Sequence, residues 1–147
     1  MSARGAAAAA QLLLIEPDNL ERGTVASVCR DMQLVRMHQA TSLVMGEQFL
    51  QSRPVQGLML SLAEGDAAMD LLARLRASAF ACAAAIPVVV MAATCSKDQA
   101  VRLKALDVRR LLLQPFRLRD VIHTVEQVWP LAESAVQPML PSDMAAA

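Results

Sequence analysis

Aromatic residues are scarce in this sequence, which has three Phe, one Trp and no Tyr among 147 residues. So few flat rings leave little surface on which bases could stack, which argues against single-stranded nucleic acid as a ligand. An excess of charge of one sign is also lacking, since 14 Lys and Arg balance 14 Asp and Glu. Without a basic field, neither nucleic acid nor an anionic membrane is an expected partner.

Cysteine is sparse, and its spacing is not that of a metal site. Cys29, Cys82 and Cys95 are an odd number without a C-x-x-C pair, which predicts reduced, small apolar side chains in a cytoplasmic protein. His38 and His123 do not fall near a cysteine at zinc-ligand spacing. We therefore expect neither a metal nor another cofactor.

Long hydrophobic runs are interrupted wherever they approach a membrane signal. The N-terminal run breaks at Glu16, and the uncharged span 77–96 is rich in alanine and divided by Pro87. We interpret residues 1–10 as a poly-Ala leader and residues 130–147, which contain three prolines, as a disordered tail. A single domain over 11–129 remains.

The stretch 55–65, VQGLMLSLAEG, is the most informative part of that domain. A continuous apolar run bounded by Pro54 before it and Gly65 after it is typical of a parallel strand buried on both faces. Ligands bind at the carboxyl ends of such strands, and Ser61 stands at this one. If the chain has a reaction centre, Ser61 should lie in it.

Four further apolar runs alternate with helical patterns. We predict strands at Gln11–Ile15, Leu34–Met37, Ile86–Met91 and Arg110–Leu113. Helices are predicted to begin after Asp18 or Asn19, after Thr41 or Ser42, near Asp66, after Ser96, and over a last segment ending at Trp129; Val25, Val28, Cys29, Met32, Met45 and Phe49 are expected on buried faces. Such alternation predicts an α/β fold, a doubly wound five-stranded parallel sheet between five helices.

Four segments in this order, QLLLIEPDN, GLMLSLAEGDAAMDLLARLR, IPVVVMAAT and LLLQPF, resemble receiver domains of bacterial two-component response regulators, the CheY-like fold. The resemblance covers about 11–129 and implies the strand order 2-1-3-4-5. In that family an acidic pair after the first strand binds magnesium, and an Asp ending the third strand accepts a phosphoryl group. A Ser or Thr ends the fourth strand, a switch aromatic lies on the fifth, and a Lys precedes a proline.

The family's functional positions fall here on residues of other kinds. They are Glu16 and Pro17 for the acidic pair, Ser61 for the acceptor, Ala92 for the hydroxyl, Leu111 for the aromatic and Gln114 for the lysine. Pro115 and Phe116 are kept, and in the family the bond before this proline is usually cis.

The chemistry of these residues predicts a degenerate phosphorylation site. Glu16 with a serine hydroxyl is a poor cage for magnesium, and phosphoryl transfer without metal and lysine lacks its main charge stabilisation. Asp66 and Asp70 are not substitute acceptors by this interpretation, because Asp66 is expected to cap a helix and Asp70 to pair with Arg74 on a helix surface. We therefore expect no enzymatic activity.

A scaffold without its reaction predicts a stand-alone signalling adaptor that binds a protein partner without aspartyl phosphorylation. The candidate interaction face lies on the fourth helix, fifth strand and fifth helix, and could also form a homodimer; its residues are Lys104, Arg109, Arg110, Arg117 and Arg119. The apolar loop 79–85, with Phe80 and Cys82, is a second candidate contact unless it is packed.

Two alternatives remain open. A small-molecule or nucleotide-binding regulatory module would use polar groups at the strand ends, namely Glu16, Asp18, Ser61 and Gln114, although the scattered glycines form no phosphate loop. A hydrolase using Ser61 would need a positioned His and a G-x-S-x-G setting, both of which the sequence lacks.

Overall fold

A computed structural model describes residues 9–130 of the chain. The elements are β1 (Gln11–Ile15), α1 (Asn19–Asp31), β2 (Arg36–Ala40), α2 (Leu43–Ser52), β3 (Gly57–Ser61), α3 (Asp66–Arg76), β4 (Val88–Ala92), α4 (Lys97–Ala105), β5 (Arg110–Leu113) and α5 (Leu118–Val128). The predicted leader and tail lie outside the described residues except for residues 9, 10 and 130.

The five strands form one parallel sheet in the order β2-β1-β3-β4-β5. The central strand β3 lies between β1 and β4, with Leu60 opposite Ile15 on one side and Val90 on the other. This confirms the predicted doubly wound sheet and its strand order. Within residues 9–130 no helix is long and apolar enough to cross a bilayer.

The core is divided by the sheet into two apolar layers, because successive strand residues point to opposite faces. All five residues of β3 and all five of β4 are buried. One layer joins Leu13, Leu58, Leu60, Val88 and Val90 to α2, α3 and α4, and the other joins Leu12, Leu14, Met59, Val89 and Met91 to α1 and α5. Each fully buried side chain of this size contributes about 1.5–3 kcal/mol of transfer free energy.

Three helices begin at side-chain caps that the sequence predicted. Asp18, Ser42 and Ser96 each accept a hydrogen bond from the backbone N–H three residues later, which satisfies one of the free donors of the first turn. The helix α3 begins at Asp66 as predicted, but the expectation that Asp66 caps it was wrong. Its N-cap is Gly65, which has φ of +63° and no side-chain cap bond, so Asp66 is already the first helical residue. The Oδ1 of Asp66 lies 3.5 Å from Nη1 of Arg102.

Two further predictions, one for the core and one for the surface, are corrected by the packing of α2. Met45 was expected in the core but is 47% exposed, because α2 buries Leu43, Gly46 and Leu50 instead. Gly46 lets the helix approach β1 closely, since a Cβ built there would stand 2.3 Å from Ile15 Cδ1. Arg74, expected to pair with Asp70, donates to Glu47 of α2 at 2.5 Å.

The boundaries of β2 and β4 and the buried face of α1 differ from prediction. β2 was expected over Leu34–Met37, but Leu34 and Val35 are buried in the layer under α1 and the ladder with β1 begins at Arg36. Met32, expected on the buried face of α1, is the C-cap and is 51% exposed. β4 begins two residues later than predicted, after Pro87.

Arg76 at the end of α3 joins three segments of the chain. Its Nη1 donates to the carbonyls of Ala84 and Ile86, both at 2.7 Å, before β4. Its Nε donates to the carbonyl of Leu106 at 2.8 Å, after α4. One guanidinium thus satisfies carbonyl groups that no helix or strand would pair.

Trp129 closes the other end of the central strand. Its indole is 6% exposed, and Nε1 donates to the carbonyl of Gln56 at 3.1 Å. The ring lies directly on Gly57, where an added Cβ would stand 2.3 Å from Nε1. Gly57 is therefore needed for close approach of the indole to β3.

Replacing Gly57 by Ala should lower the free energy of unfolding by about 2 kcal/mol, because the indole has to move off β3 and lose its bond to Gln56. Chemical denaturation gives the stability, and the emission of Trp129, the single tryptophan, should shift to the red. Gly23→Ala is the matched control, since nothing lies within 4 Å of a Cβ there; it should gain about 1 kcal/mol of helix propensity. Equal effects of the two substitutions would contradict the packing argument.

Candidate functional site

The carboxyl ends of four strands bring the predicted site residues to one edge of the sheet. Ile15 is opposite Leu60, so Glu16 and Ser61, which follow them, end neighbouring strands. On the other side, the backbone N–H of Gln114 donates to the carbonyl of Ala92 at 2.8 Å. Glu16, Ser61, Ala92 and Gln114 therefore lie along a single edge, as the sequence predicted.

Ser61 is held in a local turn. Its side chain is buried, and Oγ accepts a hydrogen bond from the backbone N–H of Ala63 at 3.1 Å. Among residues 9–130 no imidazole or carboxylate bonds to this hydroxyl. A serine without a base is a weak nucleophile, so the geometry gives Ser61 a structural use and no activated oxygen.

Glu16 is buried at 2% exposure, beside the exposed Pro17. Its Oε2 accepts a hydrogen bond from the N–H of Asp18 at 3.0 Å. Its backbone carbonyl, and not its carboxylate, accepts from Nη1 of Arg22 at 2.8 Å. Its Oε1 is buried and has no hydrogen-bond partner among the described residues.

Glu21 on α1 belongs to the site and was missed by sequence reasoning. Its Oε1 accepts a hydrogen bond from Nε2 of Gln114, which joins α1 to the segment after β5. Its place three residues after the cap Asp18 was visible in the sequence, but its partner lies 93 residues away, and no local signal connects them. The bond between Gln114 and Pro115 is cis.

Burial, and next the charges of Glu16 and Asp18, raise the pKa of the Glu21 carboxyl above its usual 4.5. The amide of Gln114 acts in the opposite direction, and no cationic side chain is among the groups that lower the pKa. Among the described residues Glu21 thus has a neutral hydrogen-bond partner and no cationic one.

The donors at this edge do not fit the magnesium ion that the resemblance implies. Within residues 9–130 no three Asp, Glu, His or Cys side chains are placed to hold a metal. Pro17 has no ligand atom, and one oxygen of Glu16 already accepts from Asp18. Hard cations need several convergent oxygen ligands, which this arrangement does not supply.

The remaining two family positions carry apolar side chains here. Ala92 is buried at 4% exposure. Leu111 is half-buried against the layer formed with α2, α3 and α4. The end of β4 therefore presents no hydroxyl, and β5 presents no ring that could rotate between an inner and an outer position.

The five basic residues of the candidate face are all exposed, but the structure divides them into two groups. Lys104, Arg109 and Arg110 lie around the start of β5, whereas Arg117 and Arg119 lie at the start of α5, beyond its other end. Between them the edge strand β5 exposes Leu113 at 53%. The basic residues thus lie on either side of an exposed apolar side chain.

The loop 79–85 is packed. Cys82 is 6% exposed, and Phe80 is half-buried against the same core layer. The guanidinium of Arg74 lies over the Phe80 ring, 5.6 Å from its centroid. Of the two interpretations of this loop, packing holds for Cys82, which is not available as a contact.

A shallow groove of about 500 Å³ runs between α1 and the start of α5. Leu20, Val28, Met32 and Leu118 supply its apolar lining. Neither Ser61 nor Gln114 contributes to it. It is separate from the polar groups that a small-molecule module at the strand ends would use.

Solved structures that match this chain include response-regulator receiver domains. A response regulator from Thermotoga maritima aligns with a TM-score of 0.71 at 18% identity, covering 82% of this chain and 97% of that one. The non-phosphorylated HemR receiver domain from Leptospira biflexa gives 0.73 at 18% over 84% and 96%. The chemotaxis protein CheY4 of Vibrio cholerae gives 0.71 at 14% over 82% and 99%.

No family model and no curated protein sequence matches the chain. At such low identity the structural likeness defines the fold alone. The chain has the doubly wound, CheY-like fold of receiver domains.

Replacing Glu21 by Gln should stabilise the protein at pH 7 and leave its stability unchanged below about pH 4. A carboxyl whose pKa is raised on folding destabilises the folded state once it ionises, so the difference is absent below its unfolded pKa and appears as pH rises through the folded value. Urea denaturation at the two pH values measures this. Glu126→Gln on the exposed side of α5 is the control; an equal gain there, or a gain at low pH, would contradict the assignment.

Proposed function

We propose that this protein is a receiver-like signalling adaptor that acts through protein–protein interaction without aspartyl phosphorylation. The observation that carries the proposal is the state of Ser61. Its hydroxyl accepts a hydrogen bond within a turn. The neighbouring family positions hold Glu16, whose Oε1 has no donor among the described residues, together with Ala92 and Gln114. The metal ligands, the hydroxyl and the lysine of the family are therefore not at these positions. Both faces of the sheet nevertheless keep complete apolar layers.

Electrostatics supports the same proposal. A phosphoryl donor is an anion, and its transfer requires cations at the transferring group. At this edge the charged groups next to Glu21 are Glu16 and Asp18, while the guanidinium of Arg22 bonds to a carbonyl and to Asn19. The edge would repel the donor.

We place the partner surface on α4, β5 and α5. An exposed edge strand offers unpaired backbone groups, and on β5 these accompany exposed Leu113 and basic residues at both ends. An apolar centre with a charged rim is the usual anatomy of a protein interface. The partner is either another cytoplasmic protein or a second copy of this chain.

Incubation with acetyl phosphate and magnesium should leave the intact mass of the protein unchanged. A receiver domain with a complete acidic pair, acceptor Asp and Lys is the positive control under the same conditions. Ser61→Asp should also stay unmodified, because the metal and lysine positions remain unfilled. An acid-labile gain of one phosphoryl group on the wild-type chain would overturn the proposal.

Leu113→Asp should weaken self-association or partner binding by at least tenfold, because burying an unpaired carboxylate at the centre of an interface is costly. Val44→Asp is the matched control, since Val44 is 64% exposed on α2, away from the proposed face. Sedimentation velocity measures self-association, and titration measures the affinity for an isolated partner protein. Retained binding by Leu113→Asp, or equal loss in both variants, would exclude this face.

A further inference from the structure

The carboxylates of Glu16, Asp18 and Glu21 lie close together after β1, and the hydrogen-bond donors that the described residues offer them are neutral. Asp18 donates its N–H to Glu16 Oε2 at 3.0 Å, and its own Oδ1 accepts from the N–H of Glu21 at 2.8 Å. The Gln114 amide donates to Glu21. Among residues 9–130, each carboxylate thus has one neutral hydrogen-bond donor and forms no ion pair with a cationic side chain.

Arg22, which follows Glu21 on α1, does not pair with these carboxylates. Arg22 Nη1 donates to the carbonyl of Glu16 at 2.8 Å, and Nη2 donates to Oδ1 of Asn19 at 2.7 Å. The pKa of Glu21 is raised first by burial and then by Glu16 and Asp18, with no cation opposing them. Within residues 9–130 no cationic side chain forms an ion pair with these carboxylates.

Glu16 is the anomaly within the cluster. It is 2% exposed, and its Oε1 is buried without any donor in the described part of the chain. The Glu16 side chain lies close enough to that of Glu21 to raise the pKa of Glu21, so the Glu16 oxygen without a donor belongs to the same cluster. Buried carboxylates are normally paired, because an uncompensated one costs several kcal/mol.

The chemistry of the missing partner follows from the placement of the oxygens. These carboxylates are close enough to influence one another but do not converge as metal ligands. A guanidinium or ammonium group needs no such convergence. It carries three to five N–H donors that can reach separate oxygens, and its hydrogen bonds to carboxylates are strong.

We propose that the cluster of Glu16, Asp18 and Glu21 binds the guanidinium or ammonium group of a basic side chain presented by the partner protein. Asp18 is exposed and Glu21 is half-exposed, so the incoming cation meets them first. It replaces the Gln114 amide at Glu21 and supplies a donor to Glu16 Oε1. The site rests on the placement of the three carboxylates, whereas the carrier of the cation rests on the proposed adaptor function.

The test uses N-acetylargininamide, a side-chain cation without a carboxylate, in thermal unfolding of the full chain followed by Trp129 emission. The melting temperature should rise by about 2 °C when the probe is at its dissociation constant, beyond the effect of sodium chloride at equal ionic strength. Glu21→Gln should abolish the rise. Asp70→Asn, an exposed carboxylate on α3, should retain it.

Gln114→Lys provides a second, independent test. Its ammonium group would supply the cation from within the chain, so the variant should melt at a higher temperature without the probe and no longer respond to it. A Gln114→Met variant, which has no charge, should melt no higher than wild type.

Three results would overturn the inference: no rise beyond sodium chloride, an equal rise in Glu21→Gln, or a rise with magnesium chloride that exceeds the rise with the probe. The last would assign the cluster to a metal. None of the three decides whether the chain is an adaptor, which the acetyl phosphate experiment settles separately.

Discussion

The central strand β3 has no exposed residue, and the rest of the molecule depends on covering it. Helices must lie on both faces of the sheet, and β1 and β4 must pair with both edges of β3. At one end the strand begins with Gly57, which admits the Trp129 indole. At the other it ends with Ser61, at the edge where the site lies. The tryptophan packing and the candidate site therefore lie at opposite ends of one strand.

The alternation of strands and helices was predictable because buried parallel strands are continuous apolar runs, and β3 shows this most clearly. Prediction was wrong where the apolar character of a residue does not show against which element it packs. α2 turns Gly46 to the core instead of Met45, because only glycine fits against Ile15. The start of β2 was misplaced because Leu34 and Val35 are apolar but pack below α1 and not in the ladder.

The strand-end residues of the site were predictable, whereas Glu21 and the hydrogen bonds between site residues were not. Alignment of strand ends brings Glu16, Ser61 and Gln114 together in any doubly wound sheet, and the sequence alone places them there. The hydrogen bond between Gln114 and Glu21 depends on side-chain geometry across a long chain separation. Side-chain geometry also decides that Glu16 Oε1 has no donor among the described residues and that Arg22 bonds to a backbone carbonyl. Arg76 illustrates the same limit, because its carbonyl partners carry no residue-type signal at all.

The position of Trp129 also determines how the molecule can be tethered. Its indole rests on Gly57 at the amino end of β3, about 13 Å along the strand from Ser61. A surface or reporter attached after Pro130 is therefore joined at the end of the sheet remote from the carboxylate cluster. Immobilisation there leaves the strand-end edge facing away from the support, so cation binding at the carboxylate cluster can be measured on the immobilised chain.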